Sequence, residues 1–194
     1  MIELLSNNMT DFFYSNNIIE ENEKEIISYG LQLIISSVIG ITLIFSFGIF
    51  LSIVTETTIF LITFIIIRMY SGGYHANSYI KCNITLVTIY LCMIVVVSFT
   101  SQNFILPVSI ILTLITLYVF LRYAPVDNVN KKLSKQQLKL NRIIILLLIG
   151  VFYLVSMVLY KIDIHVFYTI IVTIFLVAIL IILKVKGGNT NEEC

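Results

Sequence analysis

Cys82 and His75, seven residues apart, are the two side chains of this chain best suited to covalent chemistry. A cysteine thiolate attacks carbonyl carbon, and a nearby histidine both stabilises that thiolate and protonates the departing amine. Together they are a candidate nucleophile-and-acid pair for cleaving an amide. Their spacing imposes a condition. On one unbroken helix, seven residues separate the two Cα atoms by about 10.5 Å, and His75 would lean towards the N-terminus, away from Cys82. The pair can meet only if the chain bends around residues 72–78. Gly72–Gly73 and Asn77–Ser78 supply the residue types most able to bend it there. Spacing alone leaves a plainer alternative open, in which a histidine and a cysteine sit near a membrane boundary for packing.

The other thiols and the second histidine offer less. Cys92 lies ten residues deeper in an apolar run and reads as a small inert hydrophobe. Cys194 follows a polar tail and is not placed four residues from the end, as a prenylation box requires. Three widely spaced cysteines without CxxC or Cys/His metal spacing argue against a disulfide scaffold or a zinc site, and they leave at least one thiol free. No metal, nucleotide or redox cofactor is implied.

The frame around 68–82 is a membrane protein. Apolar residues make up 59% of the 194, charged residues 12%, and the mean hydropathy is +1.02, far from the balance of a soluble domain. A net charge of +1 without a basic, aromatic-interleaved stripe gives no footprint for nucleic acid. The N-terminus, with no positive flank and acidic residues following, does not read as a cleaved signal peptide. Within residues 1–29, Ile2, Leu5, Met9, Phe12 and Phe13 recur at helical spacing opposite Ser6, Asn7, Asn8 and Asp11, which predicts an interfacial amphipathic helix on the membrane surface.

Leu31 to Thr55 carries no charge and is long enough to cross a bilayer. Ser36, Gly40, Gly48 and Ser52 fall on four-residue spacing and allow close helix approach, within the chain or between copies. The run at 57–70, ending at Arg68, is short: either a brief crossing with Arg68 snorkelling or a re-entrant segment. The uncharged stretch 83–121 splits at Ser98–Asn103 and Pro107 into spans near 83–100 and 104–121. Residues 122–142 form a basic connection with Arg122, Lys131, Lys132, Lys135, Lys139 and Arg142 against Asp127, and the positive-inside rule makes it cytoplasmic. Spans at 143–160 and 166–183 follow. The expectation is one all-α, polytopic membrane domain over residues 1–194 with about six apolar segments. It places 68–82 on the cytoplasmic face and His165 on the other, and it leaves the glycosylation triplet Asn83–Ile84–Thr85 on the wrong side for use.

Arg68–x3–Gly72–Gly73–Tyr74–His75–Ala76, with Cys82 seven residues past the histidine, resembles the signature of the accessory gene regulator protein B (AgrB) family, bacterial membrane endopeptidases that process a quorum-sensing propeptide. Arg122–Tyr123–Ala124–Pro125–Val126–Asp127, followed by Asn130–Lys131, resembles that family's cytoplasmic segment, with Lys132 where the family commonly has proline. The resemblance implies that Cys82 attacks a peptide bond of an AgrD-like precursor with His75 as its partner. The thioester so formed is captured by a cysteine or serine inside the precursor, giving a thiolactone or lactone on an N-terminal leader. It also implies a homodimer in the bacterial cytoplasmic membrane. In that frame Arg68 is a candidate for a substrate carboxylate or the oxyanion, or a snorkelling anchor. Gly72 and Gly73 would shape the bend and offer backbone donors. Asp127 is a candidate third member orienting His75, and Lys131, with Lys132 and Lys135, a candidate for the precursor's acidic tail. Against this stand two other classes: a small peptide transporter with His75 titrating along its path, and a non-catalytic membrane adaptor docking partners through 122–142.

Overall fold

The computed structural model describes residues 2–72, 79–126 and 134–187, and among these every regular element is helical. A surface helix, α1 (Ile2–Ser15), is followed by α2 (Lys24–Phe50), α3 (Val54–Ser71), α4 (Tyr79–Phe99), α5 (Gln102–Tyr123), α6 (Lys135–Leu159) and α7 (Ile164–Gly187). The last six are each long and apolar enough to cross a membrane.

The centre of the bundle is α7. Of its most apolar stretch 72% is buried, against 17–39% for the other five spans, and it packs on α3, α4, α5 and α6. Its sequence is apolar on every face, the pattern of a helix enclosed all round. Ile170, Ile174, Val177 and Ile181 fill the middle of a core completed by Phe60 and Phe64 of α3, Tyr90 and Met93 of α4, Phe120 of α5 and Ile145 of α6. Asp163 accepts hydrogen bonds from the backbone N–H groups of His165 and Val166 and starts α7.

Short connections make neighbouring helices antiparallel, so the bundle has two distinct ends. At one, α2 turns into α3 and Gly48 packs face-on against Thr57. There too α4 meets α7, with the Thr100 and Tyr168 hydroxyls 3.2 Å apart. At the other, the backbone N–H of Val126 donates to the Ser71 carbonyl at 2.9 Å, and Arg142 Nη2 donates to the Leu121 carbonyl at 2.8 Å. This second end gathers Lys24, Arg68, Lys81, Arg122, Lys135, Lys139, Arg142, Lys184 and Lys186, while Lys161 sits at the first.

Several expectations change in detail. The 57–70 run gains Val54–Glu56 and becomes an 18-residue helix, about 27 Å long, running from one end of the bundle to the other; of the two readings offered for it, the crossing is the one adopted. The polar connection at 122–142 is helical from Lys135, because Ser134 and Gln137 form a reciprocal capping box. Pro107 does not break the chain: it lies within the second turn of α5, close enough to the helix start that few backbone bonds are lost. Helix α1 is held by its polar side, with Ser6 and Thr10 buried against α2, the Ser28 hydroxyl donating to Asn7 Oδ1, and Lys24 paired with Asp11 at 3.6 Å. Leu4, Leu5, Met9 and Phe12 face outward, where an interfacial helix meets lipid.

The small-residue face of α2 is spent inside the chain. Ser36, Gly40 and Gly48 are its buried polar and glycine positions; a Cβ on Gly48 would run into the Thr57 side chain. Gly48→Ala is therefore expected to cost about 1–3 kcal/mol through overpacking. Thermal unfolding of the detergent-purified protein should show a lowered midpoint, whereas Gly150→Ala, with nothing within 4 Å of the added carbon, should leave it unchanged.

Candidate functional site

Helix α3 ends because Gly72 takes φ +68° and ψ −150°, a combination open to glycine and strained for any residue with a Cβ. A Cβ at Gly72 would also strike the carbonyl oxygen of Val126. The Ser71 carbonyl accepts from Val126 N–H, so the C-terminus of α3 is fastened to the segment leaving α5. Helix α4 begins at Tyr79, which puts Cys82 in its first turn. Residues 68–82 are thus not one continuous helix.

Beside this break lies a cavity of about 640 Å³, within the size range of small-ligand sites. Leu61, Phe64 and Ile65 of α3, Leu33 and Ile41 of α2, and Leu86 of α4 give it mostly apolar walls. Its chemistry comes from Arg68, Cys82, Asn83 and Asn141, with Gly72 and Val126 at the rim. Cys82 is half-buried. The Arg68 guanidinium lies over the Phe64 ring at 5.5 Å and within electrostatic range of Cys82. A cation over an aromatic face is held in place as well as partly desolvated.

Of the residues singled out from sequence, Arg68, Gly72 and Cys82 come together at this cavity. Gly73, His75, Asp127 and Lys131 lie outside the described residues. Cys92 faces outward from the bundle. His165 starts α7 at the end where α4 finishes, a full helix length from Cys82. Sequence reading missed the contribution of α2, whose N-terminal half forms one wall. It also missed a place for Asn83 in the cavity, having noted that residue only in the triplet Asn83–Ile84–Thr85.

Six membrane-length helices with α7 buried at their centre, and a cysteine and an arginine sharing a largely apolar cavity near one end, define a polytopic membrane protein with a candidate site at that end. The chain belongs to the AgrB family: the family model described as Accessory gene regulator B matches residues 6–182. It is 33% identical over 144 residues to an AgrB-like protein of Clostridium perfringens (strain SM101 / Type A), covering 72% of this chain and 67% of that one. It is 31% identical, with the same coverage, to AgrB-like protein 2 of Clostridium perfringens (strain 13 / Type A). No solved structure matches the chain. Family membership links the protein to the accessory gene regulator quorum-sensing system.

Proposed function

We propose that the protein is a membrane cysteine endopeptidase that cleaves an AgrD-like precursor and lets the released segment cyclise. The observation that carries this reading is the opening of Cys82 into a largely apolar cavity shared with Arg68, at the break between α3 and α4. Cys82 attacks the scissile carbonyl as a thiolate, forming the Sγ–C bond. The tetrahedral oxyanion collapses as the C–N bond breaks, and His75 gives its proton to the leaving amine. A cysteine thiol or serine hydroxyl within the bound precursor then attacks the thioester carbonyl and expels Cys82, giving a thiolactone or lactone. Walls such as Leu61, Phe64 and Leu86 favour this route, since a thioester waits for an internal nucleophile only where water is restricted.

Arg68 supplies positive charge for the oxyanion or for a substrate carboxylate. Gly72 sets the turn, and Gly73 adds backbone donors. Asp127 orients His75, and Lys131 with its basic neighbours meets the acidic tail of the precursor. The cations gathered at the cavity end support a cytoplasmic placement of that end under the positive-inside rule; the N-terminus of α2 and the C-terminus of α7 lie there too. The protein works as a homodimer in the bacterial cytoplasmic membrane, using a face other than Ser36–Gly40–Gly48, which α3 and α4 occupy.

The test is purified protein in lipid vesicles with an AgrD-like precursor peptide. Expected are a truncated, cyclised product and a hydroxylamine-sensitive adduct on Cys82 seen by intact mass. Precursor that remains intact, or processing without any adduct, overturns the reading.

A further inference from the structure

Asn83 follows Cys82 on α4 and lines the same cavity, yet no step described so far uses it. Its side chain is seated on another helix. Gly40 of α2 leaves the space it occupies: a Cβ on Gly40 would lie 2.9 Å from Asn83 Oδ1 and 3.1 Å from a Leu86 methyl. Two of the cavity hydroxyls are committed to their own helices, Ser37 to the Leu33 carbonyl and Thr85 to the Lys81 carbonyl, each at 2.8 Å. Among the described residues, no side-chain hydrogen bond is formed by the Asn83 carboxamide. Asn83 is only partly buried, so its carboxamide stays open to a ligand entering the cavity. A carboxamide offers one acceptor and two donors, the complement of the N–H and C=O that an extended peptide presents along one edge.

We propose that Asn83 is a substrate-contacting residue: its carboxamide, held in register by Gly40, pairs with the main chain of the peptide segment laid across Cys82. The proposal rests on the peptidase reading and adds how the scissile bond is aligned. Main-chain pairing is blind to side-chain identity, so Asn83 sets position and depth while the apolar walls select side chains. The substrate class is a peptide that is extended, not helical, where it passes Cys82, because a helix has its N–H and C=O groups already paired.

The test uses two reagents on the full chain in vesicles, in a Cys92→Ala, Cys194→Ala background. Acetyl-Leu-Phe chloromethyl ketone carries a peptide main chain; Cys82 sulfur displaces its chloride and forms a thioether. Iodoacetamide alkylates the same sulfur with loss of iodide and needs no such alignment. In the parent the ketone should label Cys82 saturably. Asn83→Leu keeps the branched shape against Gly40 and removes the polar atoms, so folding is preserved; it should lower the second-order rate with the ketone about tenfold, the worth of one or two hydrogen bonds, with iodoacetamide unchanged. Gly40→Ala, which pushes the amide from its seat, should do the same. Unchanged ketone kinetics in Asn83→Leu, or an equal loss with both reagents, overturns the proposal. Ketone labelling of the parent that never saturates overturns the peptidase reading itself, and this contact with it.

Discussion

Cys82→Ala is expected to abolish precursor cleavage, with a loss of at least about a thousandfold, because the covalent route disappears with the sulfur. Cys82→Ser should fall nearly as far, since a serine hydroxyl is a much weaker nucleophile than a cysteine thiolate. His75→Ala removes the proton donor to the leaving amine and should cost about 10²–10⁴-fold. Product formation, followed by mass spectrometry from reconstituted protein, is the measurement. The three variants should still fold, because Cys82 is half-buried in the first turn of α4 and outside the α7-centred core. They should also still bind precursor. That combination separates the endopeptidase from its rivals: an exporter would move intact peptide in all of them, and an adaptor would show no chemistry to lose. Cleavage at the parent rate by Cys82→Ala would end the cysteine mechanism.

Gly72→Ala should be nearly as damaging although the residue donates no side chain. The backbone there sits at φ +68° and ψ −150°, and an added Cβ would meet the Val126 carbonyl oxygen. Strain of this kind costs about 1–3 kcal/mol, and the least costly relief is to swing the end of α3 away from the α5 exit. That breaks the hydrogen bond from Val126 N–H to the Ser71 carbonyl and moves Arg68, one turn earlier, relative to Cys82. A displacement of about 1 Å in a reacting constellation costs roughly a hundredfold in rate. Cleavage should fall by about that factor, while the thermal midpoint drops by only a few degrees, because the α7 core is untouched. Full activity in Gly72→Ala would mean that the turn does not position the site.

These two variants differ in how far they could be foreseen. The chemistry of Cys82 is a property of residue type, and the expected pairing with His75 rests on a motif within eight positions. The need for a bend near Gly72 followed from helix geometry, and α3 does end there. Nothing in the sequence, however, linked Gly72 to Val126, more than fifty residues away, or Asn83 to Gly40. The stretch 57–70 left a short crossing and a re-entrant segment both open because Val54–Glu56, with a charge among them, extend α3 by most of a turn that the apolar run does not show.

The sequence by itself determined that the chain is a helical membrane protein, where its apolar spans lie, and which end carries the cations. Only the tertiary structure decided that α7 is the centre, that α2 walls the cavity, and that the Ser36–Gly40–Gly48 face is used within the chain. Lipid tails are as apolar as leucine, so side chains facing lipid and side chains facing protein obey the same composition; a hydropathy run records exclusion from water and is silent on which neighbours exclude it.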